Sequence, residues 1–179
     1  LIPRELGLEV AERIDAAGEV LVPLDEDGVA DAVRTLLERG AEALVIHFLH
    51  SYRNPAHERR AAEIARALWP NPHVTVGSDL VSEYREYERG VTAAVNAAVQ
   101  PVLDRYIRRL TARLRDEGYA RDLLVMQGNG GTVSARIVAE SAVNTVMSGP
   151  ASGVIAAAYT GLAAGWKNLV TYDMGGTST

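Results

Sequence analysis

At 179 residues, with 47% hydrophobic and 23% charged side chains, the chain has globular composition and is long enough to build a core without disulfide or metal staples. It contains no cysteine, which excludes a disulfide framework, Cys-ligated zinc or iron–sulfur sites and a thiol nucleophile. Its 18 Lys and Arg against 23 Asp and Glu give a net charge of −5, which argues against nucleic acid as a partner bound through overall charge.

Residues 1–24 alternate short apolar stretches with charges and predict extended structure. From Asp27, Val29, Val33, Leu36 and Leu37 recur at helical spacing and Gly40 stands at a C-cap position, predicting a helix that ends near Arg39. The compact apolar run 43–49 predicts a strand buried on both faces. Asn54 and Pro55 then form a cap and a first helical position, with Glu58 in the first turn, and the second helix reaches Leu68. Trp69-Pro70-Asn71-Pro72 stops it, and residues 73–77 are the next strand.

A long helical pattern follows from Tyr87 to Glu117. Val91, Val95, Ala98, Val99, Val102, Tyr106, Leu110 and Leu114 lie on one face, Pro101 is expected to kink or break it, and Gly118 ends it. Residues 123–126 predict a strand, 127–132 a Gly-rich turn, 134–141 a weak helix, 151–164 a small-residue helix and 169–172 a last strand. Strands separated by helices in this rhythm predict an α/β fold, a layered sheet flanked by helices. The longest apolar stretch, around 154–164, is too short and too rich in Gly and Ala to span a bilayer, and residues 1–12 mix charges where a signal peptide would be apolar. A cytoplasmic protein without a membrane partner is expected. The lack of an initiating Met and the end at Thr179, just after the last strand, predict an internal fragment of a longer protein.

The sharpest chemical signal is Asp173-Met174-Gly175-Gly176-Thr177-Ser178-Thr179, directly after that strand. Adjacent glycines let main-chain N–H groups approach a phosphate, Asp173 is placed to hold Mg²⁺ through water, and Thr177 and Ser178 offer hydroxyls to phosphate oxygens. An ordinary Gly-rich turn would use the same residue types. No Gly-Lys-Ser/Thr follows, so this is not a Walker loop.

The segment Met147-Ser148-Gly149-Pro150-Ala151-Ser152-Gly153, its Ala-rich continuation and the Asp-x-Gly-Gly-Thr turn together resemble the connecting helix and second phosphate motif of the actin-like ATPase superfamily. More narrowly, six blocks in order resemble the hydantoinase A/5-oxoprolinase family: Gly18-Glu19-Val20-Leu21-Val22-Pro23-Leu24; His50-Ser51-Tyr52-Arg53-Asn54-Pro55-Ala56-His57-Glu58; Glu83-Tyr84-Arg85-Glu86-Tyr87-Glu88-Arg89; Met126-Gln127-Gly128-Asn129-Gly130-Gly131; Ser148-Gly149-Pro150; and residues 173–179. Gly128 departs from the Ser more usual before Asn-Gly-Gly in that family.

The resemblance implies an enzyme that phosphorylates the carbonyl oxygen of a cyclic amide with ATP and Mg²⁺, a hydantoinase B-type partner subunit or domain completing ring opening. The same family includes subunits of ATP-dependent ketone carboxylases, and an actin-like lobe can also serve as a nucleotide-gated binding module without turnover. The implied lobe is actin-like, of ribonuclease H-like type and incomplete. Residues 1–146 form most of its first lobe without the N-terminal phosphate hairpin, 147–166 the connecting helix with Gly149 and Gly153 as hinge, and 167–179 the first strand and phosphate turn of a second lobe. Asp173 is then the catalytic and Mg²⁺-holding carboxylate, with Gly175, Gly176, Thr177 and Ser178 at the nucleotide phosphates. The 179 residues alone are expected to be inactive and to bind neither ATP nor Mg²⁺.

Other residues have plainer readings. Asn129, Gly130 and Gly131 follow a strand end, where open α/β sheets place ligands, and serve equally well as a plain turn. Arg85 and Glu86 fall in a charged cluster at 83–89 that reads first as a solvated, ion-paired start to the long helix and second as a cleft or substrate contact. His47 and His50 lack a third convergent group for a metal, and His57 and His73 read as surface or capping residues.

Overall fold

A computed structural model describes residues 2–174, and the chain divides into two compact units, with the boundary after Val102.

In the N-terminal unit a 3-10 turn at Arg4–Leu6 precedes an antiparallel ribbon of β1 (Arg13–Ile14) and β2 (Val20–Val22). Asp15 closes the ribbon's turn, its Oδ1 accepting the N–H groups of Ala17 and Glu19 at 2.9 Å each. These main-chain donors hold the Asp15 carboxyl below its ordinary pKa.

Helix α1 (Glu26–Glu38) starts at Asp25, whose carboxylate accepts the Gly28 N–H at 3.0 Å. Cap residues satisfy donors that the first helical turn leaves free, so Asp25→Ala is expected to lower the unfolding free energy by about 1 kcal/mol in urea titration. The predicted stop at Gly40 is present with φ at 77°, a conformation that favours glycine.

Strand β3 (Leu44–Ile46), helix α2 (Ala56–Leu68) and strand β4 (Val74–Val76) follow, with β3 and β4 parallel and Ile46 beside Val76. Pro55 is the cap rather than the first helical residue, while Asn54 does the predicted work, its Oδ1 accepting the Ala56 N–H at 3.1 Å. The core joins Val29, Val33 and Leu36 of α1, Leu44 and Ile46 of β3, Ala61, Ala62 and Ala65 of α2, and Val74 and Val76 of β4. Trp69, 5% exposed, closes it where α2 ends. Ala61, Ala62 and Ala65, small and almost wholly buried, let α2 pack close against its neighbours.

A short helix α3 (Gly77–Leu80), unforeseen in the sequence, leads to α4 (Glu86–Asp116). The expected break at Pro101 does not occur, for α4 is assigned as one helix straight through it. A proline removes one rung of the ladder, and the turns on both sides keep theirs. The predicted apolar face of α4 is also displaced: Ala98, Val102 and Tyr106 are exposed, whereas Ala93, Ala94, Asn96, Ala97 and Gln100 are buried. Small side chains allow close packing there, and Asn96 Nδ2 donates to Thr75 Oγ1 of β4 at 3.1 Å.

The C-terminal unit holds the rest of α4 and an antiparallel hairpin of β5 (Leu124–Met126) and β6 (Thr132–Ser134). Helix α5 (Ala135–Glu140), a 3-10 turn at Ala142–Thr145 and helix α6 (Ser148–Ala163) follow. Ile107, Ala135, Val138 and Ala142 are its buried apolar residues, whereas α6 buries only Gly161 and exposes Val154, Ile155, Tyr159 and Leu162.

Helices and strands are therefore mixed, but the expected layered sheet is replaced among the described residues by three separate two-stranded sheets. No strand forms at 169–172, since a strand needs a hydrogen-bonded neighbour and none of the described strands takes that place. No helix among the described residues is long and apolar enough to cross a membrane.

Candidate functional site

Parallel pairing sets the carboxyl ends of β3 and β4 side by side, so His47 and Phe48 after one strand lie near Gly77 and Ser78 after the other. Ligand crevices in α/β folds form outside such strand ends. Glu58, in the first turn of α2, is fully buried and bridges them: its Oε1 accepts the Phe48 N–H and its Oε2 the Ser78 N–H, both at 2.8 Å. Sequence reasoning saw only its favourable place in the helix dipole. Its contribution is instead a tertiary clasp in which one carboxylate fixes two loops.

His47 stands beside this clasp, with Nδ1 3.7 Å from Glu58 Oε1. The imidazole is held between two glycines, because a Cβ on Gly77 would lie 2.9 Å from its Nδ1 and one on Gly90 3.1 Å from its Cδ2. Burial pushes the His47 pKa below its ordinary value, against the pull of the Glu58 carboxylate; Arg89 on α4 also lowers it, and the Glu86 backbone and carboxylate raise it. A neutral imidazole in the fold and a protonatable one in the unfolded chain give the unfolded state more bound protons below the ordinary histidine pKa. Stability is therefore expected to fall as pH drops from about 7.5 to 5.5, and urea midpoints of the wild type and His47→Gln should show a shallower fall in the variant.

The 83–89 cluster is not simply a solvated start to a helix. Arg89 is completely buried; its guanidinium donates to the Phe48 carbonyl at 3.0 Å, Ser51 Oγ at 2.9 Å and the Glu83 carbonyl at 3.3 Å, and lies 5.4 Å from the Tyr52 ring centroid. Tyr52 in turn meets Tyr84 edge to face at 5.4 Å. Glu86 Oε1 is 3.9 Å from His50 Nδ1, and its carboxyl is held below the ordinary range, first by its own backbone N–H and then by Arg89 and His50. Arg85 has a φ of 95°, and its guanidinium carbon sits 5.9 Å from the Tyr84 ring centroid. Two blocks quoted for the family resemblance, 50–58 and 83–89, thus meet at one place.

His57 also departs from the plain reading. His57 is buried, with Nδ1 2.8 Å from Glu12 Oε2, rather than at the surface. Asn54 Nδ2 donates to the Gly18 carbonyl at 2.8 Å, which ties the 18–24 block to the 50–58 block. Sequence spacing could not show these links, although the membership of Arg89, Glu58 and Gly18 in the quoted blocks was a signal toward them.

In the C-terminal unit, Asn129, Gly130 and Gly131 form the β5–β6 turn. Gly131 N–H donates to Asn129 Oδ1 at 2.8 Å and Gln127 N–H to the Gly131 carbonyl at 2.8 Å. The Asn129 side chain thus braces its own turn. Gly128 is demanded by packing, since its N–H donates to the Asn144 carbonyl at 2.7 Å and a Cβ there would collide with the Val146 carbonyl oxygen. A side chain at this position would require the Val146 carbonyl to move. Gly149 and Gly153 on α6 face open space. Asp173 is exposed and makes no ion pair or side-chain hydrogen bond among the described residues. Gly175, Gly176, Thr177 and Ser178 lie outside the described residues.

Comparison with known proteins agrees with the motif pattern. The family model described as Hydantoinase/oxoprolinase matches residues 89–179, and the one described as Hydantoinase/oxoprolinase N-terminal region matches residues 1–69. The acetophenone carboxylase gamma subunit of Aromatoleum aromaticum is 40% identical over 183 residues, which is 99% of this chain and 25% of that protein. The crystal structure of the ATP-dependent caprolactamase from Pseudomonas jessenii covers 98% of this chain and 26% of its own, at 38% identity and a TM-score of 0.88. A nucleotide-free structure of acetone carboxylase, from work on ATP-dependent acetone carboxylation, covers 93% of this chain and 24% of its own, at 35% identity and a TM-score of 0.81. The chain spans about a quarter of the length of these relatives. With both family models placed in order along it, the chain belongs to the hydantoinase/oxoprolinase family.

Proposed function

We propose that this chain is part of an ATP-dependent enzyme acting on a cyclic amide: the γ-phosphoryl group of ATP passes to the amide carbonyl oxygen as ADP leaves and the amide N–H proton is lost, and water then adds to the activated carbon, releasing inorganic phosphate and breaking the ring C–N bond with a hydantoinase B-type partner subunit or domain. The observation that carries this reading is the likeness, over almost the whole chain, to the ATP-dependent caprolactamase from Pseudomonas jessenii. An unactivated lactam is a poor electrophile, and conversion of its oxygen into a phosphate leaving group supplies the missing driving force.

In this reading residues 1–146 belong to the first lobe of an actin-like fold, 147–166 are the connecting helix with Gly149 and Gly153 as hinge, and 167–179 begin the second lobe. Asp173, Gly175, Gly176, Thr177 and Ser178 are assigned to the nucleotide, and Arg85, Glu86, Asn129, Gly130 and Gly131 to cleft or substrate contacts. Mg²⁺ is commonly held through one or two carboxylates, water and the phosphates of a nucleotide, so a single carboxylate beside the phosphates is enough to take it. The exposed carboxylate of Asp173 suits that place. Bound there, the ion would neutralise charge that develops on the phosphates.

A second reading, an ATP-dependent ketone carboxylase subunit, draws on the acetophenone carboxylase and acetone carboxylase matches. Phosphate release from ATP by the intact protein with its partner, across 5-oxoproline, hydantoins, other lactams and ketones with and without bicarbonate, separates the two. Stimulation by a cyclic amide without bicarbonate is expected. Stimulation only by a ketone plus bicarbonate would move the protein to the carboxylases, and none with any compound would leave the nucleotide-gated module.

A further inference from the structure

The C-terminal unit carries a cleft of about 440 Å³ between the last turns of α4 and the approach to β5 with the β6–α5 junction. That volume lies within the range of small-molecule sites. Its floor is apolar, built from Ile107, Leu123 and Ala135, and its rim is cationic. Two rim arginines are already neutralised: Arg108 pairs with Asp104 at 2.8 Å and Arg136 with Asp122 at 3.0 Å. The guanidinium groups of the other two, Arg115 and Arg121, have no acidic or hydrogen-bonding partner among the described residues.

The charge around the cleft runs against that of the chain. Residues 103–179 carry eight Lys and Arg against six Asp and Glu, while residues 1–102 carry ten against 17. A concave apolar floor with two unneutralised guanidinium forks at its rim matches a ligand that has an apolar body and an oxyanion head, because each fork can present paired N–H donors to a carboxylate or phosphate. We propose that this cleft is a binding site for a small amphipathic anion, a carboxylate or phosphate ester, held through Arg115 and Arg121. It is separate from the residues assigned to the nucleotide and to the amide, and does not depend on that assignment.

The test is calorimetric titration of the intact protein with benzoate, phenyl phosphate and neutral benzamide, repeated with Arg115→Gln, Arg121→Gln and the double variant. Both arginines are exposed, so the substitutions leave the core untouched. The anions are expected to bind and benzamide not; each single variant should weaken binding about tenfold, and the double variant should abolish it at this site. Whichever anion binds tighter assigns the head group. Phenylglyoxal labelling of Arg115 and Arg121, mapped by mass spectrometry, should slow in its presence. No anion binding, binding undiminished in the double variant, benzamide binding as well as benzoate, or no protection of these arginines would overturn the proposal.

Discussion

Glu58→Ala is expected to lower the unfolding free energy by about 3–5 kcal/mol, measured by urea titration. The carboxylate is completely buried and receives two main-chain N–H groups, from Phe48 and Ser78, each at 2.8 Å. Truncation leaves both donors without an acceptor in a place that water does not reach, and unsatisfied buried donors cost about 1–3 kcal/mol each. It also removes the charge that opposes desolvation of His47, so the imidazole should titrate still lower in the variant. Glu58→Gln is a finer probe. Its amide oxygen can keep one of the two N–H groups while its NH₂ faces the other, so it should recover part of the loss. A loss below about 1 kcal/mol in Glu58→Ala would show that the loops relax onto other acceptors.

Arg89→Leu carries the second large effect, an expected loss of about 2–4 kcal/mol in the same measurement. Leucine fills part of the volume but removes the donors to the Phe48 and Glu83 carbonyls and to the Ser51 hydroxyl, leaving the Phe48 carbonyl with the Ser51 hydroxyl at 3.1 Å and Glu83 without its guanidinium partner, and it removes the cation over the Tyr52 ring. Arg89→Lys should fall between leucine and the wild type, because an ammonium keeps the charge but cannot reach three acceptors with a planar fork. A lysine variant as stable as wild type would show that charge alone matters. Since Glu58 and Arg89 both hold the Phe48 main chain, through its N–H and its carbonyl, the double variant Glu58→Ala/Arg89→Leu should be less than additive.

Local features were the ones readable in the sequence. Val29, Val33 and Leu36 have one periodicity and one neighbour type, so α1 was placed to within a residue or two. The 43–49 run and the 73–77 run gave β3 and β4, and Asn54 gave the side-chain acceptor for the first N–H of α2, although Pro55 takes the cap position. What was not readable depends on residues far apart in the chain. Glu58 looks like any acid in a first helical turn until β3 and β4 are placed side by side. His57 looks like a surface residue until Glu12 arrives, 45 positions away. On α4, hydrophobicity selected the valines, but the partner surface wanted the small alanines and the hydrogen bond from Asn96 to Thr75, so the buried stripe moved around the helix. The six blocks carried the family in the order of the residues themselves; the convergence of 50–58 with 83–89 needed the fold.

The placement of the two tryptophans has a practical consequence. Trp69 is 5% exposed in the N-terminal core, while Trp166, in the C-terminal unit, is 65% exposed in the folded chain. Intrinsic emission should therefore shift to the red on unfolding almost entirely through Trp69, since Trp166 is already largely solvated. A fluorescence titration of this chain is in effect a reporter of the α1–β3–α2–β4 layer, and a circular dichroism signal that changes at a different denaturant concentration would be the melting of α6 and its surroundings, to which the fluorescence is nearly blind.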